Sequence, residues 1–264
     1  MAGCGVAIVL HVWIVGNDLP ESSVLQLAVS ILGGTIVVAL LADDLYSERS
    51  AESLLLVCWV FGTFVFAALM NWSVTARTLL PMAPPVAILI VRRMQRRTAS
   101  GTPPRAWLVG LSLSACAAVS FAVGAADYVW AGSMRDAARS FIRESKRQTG
   151  TVYFQGHWGW QFYMEQGGCR ALDMTDSFFR PGDFVISPQN NVNVEQIPAR
   201  YARGVLTNEF PASRWLATTS SALGAGFYSD VFGPLPFVFG VVPTDPYHVI
   251  LLGPPADTAV GPSG

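Results

Sequence analysis

Two stretches of the chain hold side chains whose types and spacing suit chemistry. In NWSVTARTLLPMAPP, residues 71–85, Pro81, Pro84 and Pro85 have no backbone donor, so a helix here leaves carbonyl acceptors unmatched a turn earlier. Arg77 adds a permanent cation beside that break. A broken helix with an interfacial guanidinium is what a site for a phosphate-bearing lipid needs, although an interfacial arginine can also simply extend to the headgroups. In the second stretch Tyr153, Phe154, Trp158, Trp160, Phe162 and Tyr163 crowd around His157, with Glu165 just beyond. Aromatic faces stack on sugar rings while His157 and Glu165 supply hydrogen bonds, so His157, Trp158, Trp160 and Glu165 are candidate glycan contacts. The competing use of the same rings is to fill a core between helix and sheet.

Other acidic residues are weaker candidates. Asp43 and Asp44 stand with Glu48, Arg49 and Glu52 in what reads as a short solvated loop, and Asp18 and Glu21 occupy an ordinary turn. The chain contains no G-x-S-x-G, H-E-x-x-H, Walker loop or G-x-G-x-x-G, and its four cysteines form no C-x-x-C. Neither a metal nor a cofactor is expected.

The elements that must position these residues follow from composition. Of 264 residues 52% are apolar and only 13% charged, against roughly 25% charged in typical soluble domains. Mean hydropathy is +0.40. With 17 basic and 18 acidic side chains the net charge is −1, which gives no field for nucleic acid. Uncharged apolar windows at 24–42, 53–70 and 106–126, the last part of a span over 106–128, are each long enough to cross a hydrocarbon layer about 30 Å thick. A window at 72–91 qualifies if its helix starts near Trp72, and an apolar run at 2–16 reads as part of a further span. Arg92, Arg93, Arg96, Arg97 and Arg105 fall between the spans at 72–91 and 106–128, which predicts a cytoplasmic loop there. Residues 71–77 and everything beyond Trp130 then face the exterior.

The second half mixes charges and turn residues as a folded domain does. Met134, Ala137, Ala138, Phe141 and Ile142 recur at helical spacing, predicting an amphipathic helix over 133–147. TVYF at 151–154 predicts a strand and GHWGWQFYMEQGG a helix closed by Gly167 and Gly168. Further strands are predicted at CRALD, at 183–187 and at 247–252.

The run LLLVCWVFGTFVFAALMNWSVTARTLLPMAPPVAILIVRR at 54–93, then VYFQGHWGWQFYMEQGG and FYSDVFGPLPFVFG, resembles the C-terminal half of bacterial glycosyltransferase family 39-like membrane proteins of the GT-C superfamily, over residues 10–252. That resemblance implies transfer of a sugar from a polyprenyl-phosphate donor to an acceptor outside the cytoplasmic (inner) membrane, with Arg77 near the donor phosphate. Such enzymes carry their catalytic acid in the first outer loop, whereas residues 17–23 lack an acidic motif of that kind. The chain is therefore expected to be a carboxy-terminal portion, inactive alone, with no general base of its own to name. The alternative is a non-catalytic membrane-anchored protein that binds glycan or a partner. Either way the expected architecture is a membrane α-helical bundle of four to five spans over 1–130, a small exterior (periplasmic) α/β domain over 131–252, and a disordered tail over 253–264. Its expected partners are a polyprenyl-phosphate-linked sugar and membrane lipid.

Overall fold

In the computed structural model residues 21–71, 75–175 and 179–253 are described. The expected partial span at 2–16 and the tail lie outside them, apart from Gly253. Three helices are long and apolar enough to cross a membrane, Glu21–Glu48, Ala51–Met70 and Ala106–Ser145, and a mixed α/β region follows. Among the described residues this is three spans and not four or five. The chain divides into two compact units. One comprises residues 1–125 and Trp215–Val241, the other residues 126–214 and 242–264. The expected boundary at 130 thus moves to 125, and residues 215–241, placed by sequence in the second domain, group with the apolar helices.

In the helical unit, α1 (Glu21–Glu48) turns through Arg49, at φ 45°, into α2 (Ala51–Val65), whose N-terminus is capped by Ser50 accepting from the Ser53 amide. A π-turn at Phe66–Met70 ends it. The window at 72–91 is not one helix. A single turn, α3 (Ala76–Leu79), passes through a 3₁₀ turn at Leu80–Met82 into α4 (Ala83–Ala99). Proline explains the break, because Pro81, Pro84 and Pro85 fall at the starts of helical segments, where a missing N–H costs nothing. Helices α1, α2 and α4 close on Leu56, Val60 and Leu89, with Val37, Leu41, Met82 and Val86 around them.

Of the five arginines expected in a loop, only Arg105 lies in one; Arg92, Arg93, Arg96 and Arg97 are helical. Arg92, Arg93 and Arg96 belong to the last turns of α4 and pair with Asp43, Asp44 and Glu48 in the last turns of α1. Asp44 accepts Arg96 Nη1 at 2.7 Å and lies 3.1 Å from Arg92 Nη1, with its side chain 1% exposed. The solvated acidic loop expected from sequence is instead an interhelical ion cluster whose inner acid, Asp44, is buried while Asp43, Glu48 and the arginines are partly exposed. Spacing accounts for it, since Asp44 with Glu48 and Arg92 with Arg96 are each i, i+4 and so present one face per helix.

Helix α5 (Ala106–Ser145) runs unbroken through the two segments read separately as a span and an amphipathic helix. Nothing in it ends a helix: proline is absent and only the pattern changes. Its first part is exposed apolar surface suited to lipid, while Ala126, Trp130, Ser133, Met134, Ala137, Ala138 and Phe141 are buried at helical spacing.

The α/β unit is built on a five-stranded sheet ordered β2-β1-β3-β9-β4. Strands β1 (Val152–Phe154), β2 (Arg170–Ala171) and β3 (Phe184–Pro188) are parallel neighbours, and α6 (Trp158–Gln166) crosses from β1 to β2. Strands β4 (Ala202–Phe210) and β9 (Asp245–Leu252) extend the sheet antiparallel. Alternation along β1 sends Tyr153 to a cluster with Val185 and Leu252, and Phe154 to the opposite side. Phe141 of α5 meets Trp160, Phe210 and Tyr247 ring to ring at 5.6 to 6.0 Å.

Asp245, 2% exposed, is with Asp183 one of two fully buried acids described in this unit. Asn190 Nδ2 donates to it at 3.0 Å. Burial outweighs that bond and the neighbouring Trp130 and Tyr247, and pushes the carboxyl up to about 6. Below about pH 4 the folded and unfolded chains both hold this proton; between 4 and 6 only the folded chain does. Stability therefore falls as pH rises through that window, by about 3 kcal/mol. Asp245→Asn should flatten this part of the profile, so the unfolding midpoint of the variant should exceed that of the native chain at pH 7 and approach it at pH 4. Parallel profiles for the two proteins would rule this out.

Candidate functional site

Arg77 belongs to the helical unit. Residues 215–241 form a cap there: β5 (Leu216–Ala217) pairs with β8 (Val238–Phe239), β6 (Thr219–Ser220) pairs with β7 (Ala225–Gly226), and a 3₁₀ turn spans Asp230–Phe232. Side chains in the first turns of α1 hold the cap. Ser23 Oγ donates to the Leu223 carbonyl at 2.9 Å. The Gln26 amide makes a matched pair, donating to the Phe237 carbonyl at 2.7 Å and accepting the Phe239 N–H at 3.0 Å. Two close backbone approaches need glycine, since a Cβ on Gly226 would collide with the Gly233 and Ser229 carbonyls and one on Gly233 with the Gly224 backbone. Arg77 meets this cap at Tyr228, with its guanidinium carbon 5.4 Å from the ring centroid and Nη2 3.5 Å from the Tyr228 carbonyl. The side chain is otherwise exposed, so the aromatic face orients the guanidinium without enclosing it.

The second arrangement lies in the α/β unit. At the carboxyl ends of the parallel strands β1 and β2 opens a cleft of about 400 Å³, within the ~300–1,000 Å³ usual for small-molecule sites. Ligands of parallel sheets sit at such strand ends because the connecting loops diverge there. Gly156, at φ 92°, and Trp158, at φ 63°, make the turn from β1 into α6. A left-handed tryptophan is strained by about 1–3 kcal/mol and persists only where its surroundings demand it. Those surroundings are visible. Asn191 Oδ1 accepts the His157 and Val192 amides, each at 2.8 Å, and the Trp158 ring stands edge-on to Trp130 at 6.0 Å.

Within the cleft His157 Nδ1 and Gln161 Oε1 are 2.8 Å apart, and Gln161 Nε2 donates to Glu165 Oε1 at 2.8 Å. The Gln161 carbonyl can only accept, so Nδ1 carries the proton and Nε2 accepts from Asn193 Nδ2 at 2.6 Å. Gln155 is 7% exposed; its side-chain Oε1 accepts the Glu195 N–H, and its Nε2 reaches no acceptor among the described residues.

The residues singled out by sequence separate. His157 lines the cleft. Glu165 is exposed and acts on His157 only through Gln161. Trp158 is half-buried against Trp130. Trp160 is fully buried, with Nε1 donating to the Gln155 backbone carbonyl at 2.8 Å and its ring 4.9 Å from Tyr247. It is therefore not a glycan contact but the core beneath the cleft, because its register on α6 turns it toward the sheet. Gln155, Asp173, Asn193 and Glu195 also line the cleft and were not read from sequence. The one signal for Gln155 is that a polar residue directly follows a buried strand. No group of three metal-ligating side chains occurs among the described residues.

No protein family, curated protein or solved structure matches this chain. The functional reading rests on these two arrangements and on the sequence.

Proposed function

We propose that the chain is the carboxy-terminal membrane and exterior part of a glycosyltransferase whose donor is a polyprenyl-phosphate-linked sugar, with Arg77 contacting the donor phosphate. The observation that carries this reading is an exposed guanidinium at a proline-broken helix start, steadied by the face of Tyr228. Phosphate oxygens match its bidentate fork. The polarity of the helical unit supports the side of action. The arginine cluster lies at the carboxyl ends of α1 and α4, and the cap at the amino end of α1. The positive-inside tendency favours a cytoplasmic arginine-rich end, and an exterior position for Arg77 and the cap is part of the proposal.

Binding of radiolabelled polyprenyl phosphate to the full chain in detergent micelles tests this. Arg77→Lys keeps the charge and the capacity to extend to the interface but loses the fork, and should weaken retention about tenfold, as expected for one charge-assisted hydrogen bond. Equal retention by the variant would leave Arg77 a topological anchor. A second reading, a membrane-anchored glycan-binding protein without transfer activity, is favoured by the cleft in the α/β unit. It predicts glycan binding with no retention of polyprenyl phosphate.

A further inference from the structure

We infer that the cleft at the carboxyl ends of β1 and β2 is a binding site for one neutral, hydroxyl-rich glycosyl unit, with the Gln155 amide as its buried donor. The inference goes beyond the donor-phosphate reading and does not use Arg77.

The unmatched Gln155 nitrogen carries the argument. Its carbonyl is held by the Glu195 N–H, so the amide cannot turn over without losing that bond, and both Nε2 hydrogens stay directed away from it. A buried donor without an acceptor costs about 1–3 kcal/mol, which an oxygen of a bound ligand would recover. That oxygen must belong to a group that both accepts and donates. Asp173 and Glu195 on the same cleft are acceptors when ionised, while Asn193 and Gln155 supply donors. Hydroxyls satisfy both kinds of partner, and a ring of them does so at several points at once.

Other ligand classes fit worse. A phosphate or carboxylate would meet two acidic side chains and, among the described residues, no Lys or Arg lining the cleft. A metal ion lacks a set of three ligands among the described residues. An ammonium group has no acceptor to offer Gln155. The apolar face of a sugar ring has a counterpart in Leu172 and Met174, which line the cleft beside these polar groups.

The His157 tautomer fits the same ligand. The Gln161 and Glu165 chain holds the proton on Nδ1 and keeps Nε2 as an acceptor, now used by Asn193. A ligand hydroxyl can insert between Nε2 and the Asn193 amide, donating to one and accepting from the other.

The test uses the full chain in detergent micelles and saturation-transfer difference NMR with the methyl glycosides of mannose, glucose, galactose and arabinose. At least one should be saturated. In Gln155→Glu, which keeps the acceptor for the Glu195 amide and removes the Nε2 donors, saturation should fall at least about fivefold, the loss expected for one hydrogen bond. If Gln155→Glu fails to fold, Asn193→Ala on the exposed side of the cleft should give a comparable loss. Saturation should persist in Arg77→Lys, so that failure here and failure of the donor reading are distinguishable. The inference is overturned if no glycoside is saturated, if the cleft variants bind as the native chain does, or if Arg77→Lys abolishes the signal. It is equally overturned if inorganic phosphate, followed by its ³¹P line width, binds in a manner that Gln155→Glu alters.

Discussion

Replacing Asp44 by alanine should destabilise the helical unit by about 3 kcal/mol, the upper end expected for losing charge-assisted bonds, here those to Arg92 and Arg96, whose side chains are 22% and 25% exposed. Asp44 is the innermost acid of the cluster, bridging Arg92 and Arg96, while Asp43 and Glu48 are partly exposed. Without it the two guanidiniums are left to share those outer carboxylates, and a cavity opens between α1 and α4. Unfolding of the full chain in mixed micelles by increasing SDS would read the effect as an earlier transition. Combining Asp44→Leu with Arg96→Leu should destabilise less than the sum of the two single changes, by at least about 1 kcal/mol, because each single change strands a partner. An unchanged transition for Asp44→Ala would mean that solvent reaches the cluster, as the sequence reading of a loop supposed.

Trp160→Ala is expected to be at least as damaging to the α/β unit, at about 3–5 kcal/mol, through the cavity left by a fully buried ring. The same change removes the donor that the Gln155 backbone carbonyl accepts at 2.8 Å and disturbs the turn that forms the cleft. Trp160→Phe retains much of the volume but not the N–H, and should cost an intermediate ~1–3 kcal/mol. Thermal unfolding followed by near-ultraviolet circular dichroism separates two roles for this ring. A stacking surface for sugar predicts a native unfolding midpoint with lost binding, whereas a core ring predicts a lowered midpoint in both variants. Native midpoints in both would refute the packing role.

Much of the architecture is legible without coordinates because it depends on local pattern. Uncharged windows long enough for a bilayer predict α1, α2 and the first part of α5, and TVYF, GHWGWQFYMEQGG and DFVIS coincide closely with β1, α6 and β3. Strand β4 escaped because ARGVLTNEF is exposed along nearly all of its length, so no buried face imposes alternation. Residues 215–241 escaped for another reason. Their strands are two residues long and held by hydrogen bonds to Ser23 and Gln26 about two hundred positions away.

By itself the sequence determined which segments are apolar enough to cross a membrane, where proline interrupts one of them, and that a strand, helix and strand surround His157. Only the tertiary structure decided which side chains face inward. Asp43, Asp44, Glu48, Arg92, Arg93 and Arg96 read as two unrelated charged stretches until α1 and α4 pack and turn their i, i+4 faces together. Trp160 and His157 stand three residues apart, yet one fills the core and the other lines the cleft. Gln155 acquires its unmatched donor from a loop forty residues downstream that takes up its carbonyl. Composition and periodicity report the preference of a residue for water or for a neighbour within a turn. Burial and pairing depend on groups distant in the chain, and those meet only once the fold has closed.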